Sequence, residues 1–171
     1  MSRHRTDGSF ERAIRANRED LLRYLQRRLF DGADAGEAFG DLLLTAWNRR
    51  AKMPQDEHEA RLWLFGVARN TLRSTRRSFI RRSAATRRLA ESMRLLPQQL
   101  PEDPRARELA EAIAELPEED AELVRLVYWD GLTSFEAGAV LGLNPSTTRS
   151  RLASARLRLR AILVAEPAHG P

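Results

Sequence analysis

Apolar side chains recur at steps of three and four along two separate runs of this chain. The stretch between the runs loses that spacing and holds Pro97, Pro101 and Pro104. Such spacing marks helices with one buried face, and prolines at that density break them. β-Branched residues are few. The expectation is an all-α chain of two small helical domains joined by a flexible linker. The domains are expected over residues 1–82 and 107–165, with the linker over 83–106 and a tail over 166–171. At 171 residues the chain has length for one compact domain or two small ones.

In the first domain Phe10, Ile14, Leu21, Leu25 and Leu29 form a stripe that Asp31-Gly32 should end. Asp34, with Glu37 three residues on, has the spacing of a helix cap. The helix it would open runs through Ala38, Leu42, Ala46 and Trp47. A third helix, beyond the polar stretch from Asn48 to Glu57, carries Leu62, Trp63, Val67, Ala68 and Leu72. Trp47 and Trp63 are both expected in the core. The linker has room for one helical turn near Leu89–Leu96. In the second domain, Leu109, Ile113 and Leu116 form a stripe starting near Glu108. Pro117 then takes the first turn of a helix that buries Leu123, Val124, Val127 and Trp129 and ends at Gly131.

The most informative stretch is Leu132 to Leu163. Thr133 and Glu136 have capping-box spacing, Gly142 can take the left-handed backbone that stops a helix, and Asn144-Pro145 suits the start of another. Helix, three-residue turn, helix is a helix-turn-helix. Gly138 lies inside the first helix, where glycine costs about 1 kcal/mol against alanine; a tight crossing of the two helices would explain it. Leu152, Ala155, Leu159 and Ile162 make the buried stripe of the second helix. Its first turns present Ser146, Thr147, Arg149, Ser150 and Arg151, which suit base edges and phosphates in a major groove. A solvated basic face would account for the charge but not for the cap, turn and cap.

Placement of charge supports a polyanionic partner. All but Lys52 of the 29 basic residues are arginine, whose planar donor fork fits phosphates and guanine edges. A GC-rich coding sequence would favour arginine too, but not its distribution. Nine arginines and no acid lie between Arg61 and Ala90, and five with no acid between Asn144 and Ala165. The stretch from Glu102 to Glu122 carries nine acids. Two basic blocks separated by an acidic one suggest two sites on nucleic acid. The chain has no cysteine, which excludes disulfides and thiolate metal sites. Its three histidines, His4, His58 and His169, are scattered. No apolar run could span a membrane, and the N-terminus lacks the apolar stretch of a signal peptide. A soluble, cytoplasmic protein without cofactor or metal is expected, and not an enzyme.

Two stretches narrow the reading. Trp63-Leu-Phe-Gly-Val-Ala-Arg-Asn-Thr-Leu-Arg-Ser-Thr-Arg-Arg77 resembles the promoter-melting, minus-ten-reading segment of the extracytoplasmic-function (ECF) sigma factors of the sigma-70 family. Leu116-Pro-Glu-Glu-Asp, Gly131-Leu-Thr-Ser-Phe-Glu and Ser146-Thr-Thr-Arg-Ser-Arg-Leu are similar to that family's domain 4. The likeness runs from about Phe10 to Leu163. It implies that Asn70 and Ser74 contact flipped or unpaired minus-ten bases, and that Arg69, Arg73, Arg76 and Arg77 grip the DNA backbone. It also implies that the loop from Arg50 to Glu59 pockets an extruded base. The implied minus-thirty-five surface is Ser146, Thr147, Arg149, Ser150, Arg151 and Ser154; Ala153 and Ser154 stand where larger side chains are common.

The partners implied are promoter DNA, core RNA polymerase through its beta-prime clamp helices and beta subunit, and an anti-sigma factor. The clamp-docking segment, commonly Asp-x-x-Gln-Glu in the family, reads Glu37-Ala-Phe-Gly-Asp41 here. Gly40 therefore removes a side-chain amide, and weaker core binding is expected. Thr148 stands where the family prefers valine and is expected to loosen the helix-turn-helix slightly. A 24-residue linker could span roughly 80 Å at ~3.3 Å per residue, against roughly 70 Å for two turns of DNA. The competing reading is a stand-alone helix-turn-helix regulator that never engages polymerase. An integrase or recombinase would need a clustered nucleophile or acidic triad, which the pattern does not offer.

Overall fold

The computed structural model describes residues 2–29, 32–90 and 103–165. Among them every regular element is a helix, and no helix is long and apolar enough to cross a membrane. Chain contacts divide into two units, Met1–Gln98 and Gln99–Pro171. Asp31, Pro97, Pro101, most of the Leu89–Leu96 stretch and the tail from Glu166 lie outside the described residues.

The first unit is built from α1 (Ser2–Gln26), α2 (Gly32–Asn48) and α3 (Glu57–Ala90), with a 3-10 turn over Arg50–Lys52. Tyr24 and Phe65 meet edge to face at its centre, ring centroids 5.7 Å apart, among Leu21, Leu25, Leu42 and Leu64, all fully buried. Neither aromatic belonged to the sequence-derived stripes. On α3 the buried apolar residues described are Ala60, Leu64, Phe65, Val67, Ala68 and Leu72, with Thr71 buried beside them, which turns Leu62 and Trp63 to the half-buried edge. Trp47 is not core either: it is 39% exposed, edge-on to Phe10 at 5.5 Å, with the Arg50 guanidinium 3.8 Å from its ring centre. Asp34 does not cap α2, which has already begun at Gly32 and holds Asp34 in its first turn. The overlooked cap is Asp56, whose carboxylate accepts from the amide of Glu59 at 2.9 Å and opens α3.

Helix α3 continues to Ala90, eight residues into the stretch expected as linker. Nothing in that stretch stops it: the next proline is Pro97. With these residues helical at ~1.5 Å rise, and α4 beginning at Pro104, the greatest span of residues 83–106 drops from roughly 80 to roughly 60 Å.

The second unit comprises α4 (Pro104–Ala114), α5 (Glu118–Tyr128), α6 (Ser134–Leu141) and α7 (Pro145–Ala165). Helix α4 starts earlier than its apolar stripe suggests. Asp103 caps it by accepting from the Arg105 amide at 3.0 Å, and Pro104 fills the first position. Leu109 is 38% exposed, while Ile113 and Leu116 are buried. Pro117 sits one residue before α5, at its N-cap, and the helix buries Leu123, Val124 and Leu126. Val127 and Trp129 are only half-buried. Gly131 has the positive φ that turns the chain toward α6.

The α6–turn–α7 unit is punctuated as its sequence suggests. Thr133 and Glu136 form both bonds of a capping box, and Gly142 is left-handed at φ 71°. Asn144 Oδ1 accepts from the Thr147 amide at 2.8 Å to open α7. Leu152, Ala155 and Leu159 bury its inner face. At the α6–α7 crossing an ideal Cβ on Gly138 would lie 2.3 Å from the Thr148 hydroxyl, so only glycine fits. Thr148 itself is fully buried and donates to the Asn144 carbonyl at 2.9 Å. Its hydroxyl is satisfied by the carbonyl of the residue that caps α7.

Candidate nucleic-acid interface

Helix α7 presents its outer face from its first residue. Ser146, Arg149, Ser150 and Ser154 are exposed, with Ala153 among them, and Thr147 is half-buried behind the cap. Ser150 Oγ donates to the Thr147 carbonyl at 3.1 Å, at an exposed position. Arg151 differs from its neighbours. Its guanidinium is bound by Glu119 and lies 3.8 Å from Asp120, both in the first turn of α5. The hydrogen bond that Arg151 donates to Glu119, with the charges of both carboxylates, pushes the Arg151 pKa up against a smaller desolvation effect. Arg156 donates to the Tyr128 hydroxyl at 2.5 Å.

On α3, Asn70, Arg73, Ser74 and Arg77 are exposed and share one face at steps of three and four. Trp63 falls in register with that face, one heptad before Asn70. Arg69 and Arg76 lie half-buried at its edges, and Arg76 donates to the Arg28 carbonyl at 3.3 Å. The arginine block is not uniform in use. Arg61 is consumed inside the fold: one guanidinium nitrogen donates to Asn17 Oδ1 and Asp20 Oδ2, both at 2.7 Å. Burial would raise the Asp20 pKa, but hydrogen bonds from Arg61 and Arg23 and their charges bring it below its ordinary value. Arg28 is buried too, stacked 3.8 Å over Tyr24.

Helix α2 carries Glu37, Gly40 and Asp41 on its exposed side. Leu44, one turn on, is 61% exposed and extends that face with an apolar side chain. Sequence reasoning passed over Leu44; the only signal was an apolar residue in the register of a polar face. A Cβ on Gly40 would meet nothing within 4 Å. Gly40→Gln is therefore expected to stabilise the first unit by about 0.5–1 kcal/mol through helix propensity. A circular-dichroism melt of the full chain checks it.

Comparison with known proteins places both units in a lineage. The family described as Sigma-70 region 2 matches residues 13–83, and Sigma-70, region 4 matches residues 106–159. The chain is 30% identical over 145 residues to the ECF RNA polymerase sigma factor SigL of Mycobacterium tuberculosis, covering 84% of this chain and 82% of that protein. Two solved structures share its fold, each with a TM-score of 0.64. The sigma factor RpoE of Bartonella quintana, in complex with the anti-sigma factor NepR, is 20% identical, covering 92% of this chain and 98% of that one. CnrH, in complex with the cytosolic domain of CnrY, is 23% identical, covering 92% and 89%. A curated relative matched over most of both chains, with both sigma regions in order, establishes that this chain belongs to the ECF sigma factors of the sigma-70 family.

Proposed function

We propose that the chain binds core RNA polymerase and directs it to particular promoters, holding two promoter elements with its two domains. The α7 face around Ser146, Thr147, Arg149, Ser150, Arg151 and Ser154 reads minus-thirty-five duplex. The α3 face of Asn70, Arg73, Ser74 and Arg77, with Arg69 and Arg76 at its edges, captures unpaired minus-ten bases. That capture offsets part of the few kcal/mol needed to unpair them. The α2 face of Glu37, Gly40, Asp41 and Leu44 docks on the beta-prime clamp helices, and the second domain engages the beta subunit. The observation that carries this reading is the presence of two sigma regions in order, each presenting polar and basic residues on the exposed side of a single helix. The RpoE and CnrH structures, each a complex with a partner chain, support an anti-sigma factor as a third partner.

Run-off transcription with reconstituted polymerase, followed by mapping of start sites, tests the proposal. New start sites should appear only when the protein is present. Arg149→Ala is expected to cost about 1–3 kcal/mol of duplex discrimination, on the order of a tenfold loss of run-off product. Asn70→Ala should leave duplex binding intact and lower the fraction of open complexes, read by permanganate footprinting. Tight, specific duplex binding without core polymerase, and no new start sites with it, would favour a stand-alone regulator instead.

A further inference from the structure

The first turn of α5 carries Glu118, Glu119 and Asp120, and it packs beside the second to fourth turns of α7. The groove between them is lined by those carboxylates and by Ser150, Arg151, Ser154 and Arg158. Glu119 Oε2 accepts from Arg151 Nη1, and Asp120 reaches Arg151 at 3.8 Å and Arg158 at 3.7 Å. A carboxylate takes the same guanidinium donors that a phosphate or a guanine edge would take. Arg151 thus begins with its fork engaged, while Arg149, two residues away, stands exposed.

The side chains of the Arg151–Glu119 pair are 37% and 60% exposed, so the bond is weak and screened by salt. It is exchangeable, but only against something that binds Arg151 better. An arbitrary phosphate meets both the occupied fork and the repulsion of the nearby carboxylates. A site that also satisfies Ser150, Ser154 and Arg149 brings the rest of the helix into register and can displace Glu119. Non-specific affinity grows with each phosphate neutralised, so withholding one arginine lowers it selectively.

We infer that Glu119 is a specificity-determining residue: it competes with DNA for Arg151 and suppresses binding to arbitrary duplex. This rests on α7 being the duplex-reading helix. The test uses the full chain and a labelled 30-base-pair duplex of arbitrary sequence, read by fluorescence anisotropy across a salt series. Glu119→Gln should tighten binding by about threefold or more and steepen the plot of log K against log salt by roughly 0.9, the signature of one additional phosphate contact. In an Arg151→Gln background, Glu119→Gln should leave the salt slope unchanged and tighten binding by much less than threefold, since only the repulsion of one carboxylate is then removed. Equal gains in both backgrounds would mean general charge removal and would overturn the inference. Weakened binding would overturn it as well, by showing that Glu119 positions Arg151 for DNA. If Glu119→Gln has no effect while Arg149→Ala weakens binding, the competition is wrong and the duplex-reading face stands. If neither Arg149→Ala nor Arg151→Gln alters binding, the reading of α7 itself fails. Unchanged thermal midpoints by circular dichroism confirm that each variant is folded.

Discussion

Replacing Gly138 with alanine should lower the stability of the second domain by about 2 kcal/mol, although alanine is the better helix former. The propensity gain is about 1 kcal/mol. Against it stands a Cβ placed 2.3 Å from the Thr148 hydroxyl and 3.2 Å from that residue's Cβ and Cγ2. Thr148 is fully buried and its hydroxyl is bonded to the Asn144 carbonyl. Rotating it away would break that bond inside the packed crossing. Overpacking of this kind costs about 1–3 kcal/mol, and a lost hydrogen bond about 1 more.

The melting midpoint of that domain should therefore fall by roughly 8–16 °C, at ~4–8 °C per kcal/mol for a domain of this size. The transition of the first domain should not move. Combining Gly138→Ala with Thr148→Ala should recover most of the loss, because both atoms beyond Cβ are removed. A Gly138→Ala variant that melts with the parent protein would refute the close crossing. Scanning calorimetry of the full chain resolves both transitions.

This crossing also shows what a sequence can disclose. Gly138 inside a helical pattern signals close approach, and the caps at Thr133 and Asn144 and the stop at Gly142 are local events written in adjacent residues. Such features were legible because their causes lie within a few positions of each other. The core of the first domain was not. Tyr24 and Phe65 meet only through the packing of α1 on α3, and counting along α3 could not choose between the stripe through Leu62-Trp63 and the one through Leu64-Phe65. Trp47 was misjudged for a related reason: a tryptophan is apolar enough for a core but can lie flat at an edge under an arginine. Arginine counting had a similar limit. Composition treats Arg61, Arg73 and Arg151 alike, whereas folding commits Arg61 to Asn17 and Asp20, leaves Arg73 exposed, and couples Arg151 to Glu119.

Removing residues 91–100 should abolish run-off transcription while leaving each domain's melting transition where it is. The 13 residues between Ala90 and Pro104 can extend at most ~43 Å at ~3.3 Å per residue; with ten removed, the limit is ~10 Å. Two promoter elements two turns apart lie roughly 70 Å from each other. A domain of about 80 residues has a radius of gyration of ~12 Å, so the breadth of the domains makes up the difference with the full tether and not with the shortened one. When a tether cannot span its two sites, the effective concentration at the second falls toward zero. The shortened protein should therefore behave as two weak, separate binders. Restoring the length with ten Gly/Ser residues, which form a flexible coil of ~5–6 Å × √n, should return much of the activity. If the Gly/Ser version stays inactive, residues 91–100 contribute contacts of their own, beyond reach. If the deletion transcribes normally, simultaneous grip on two elements is wrong, and the domains would have to act on the promoter one after the other.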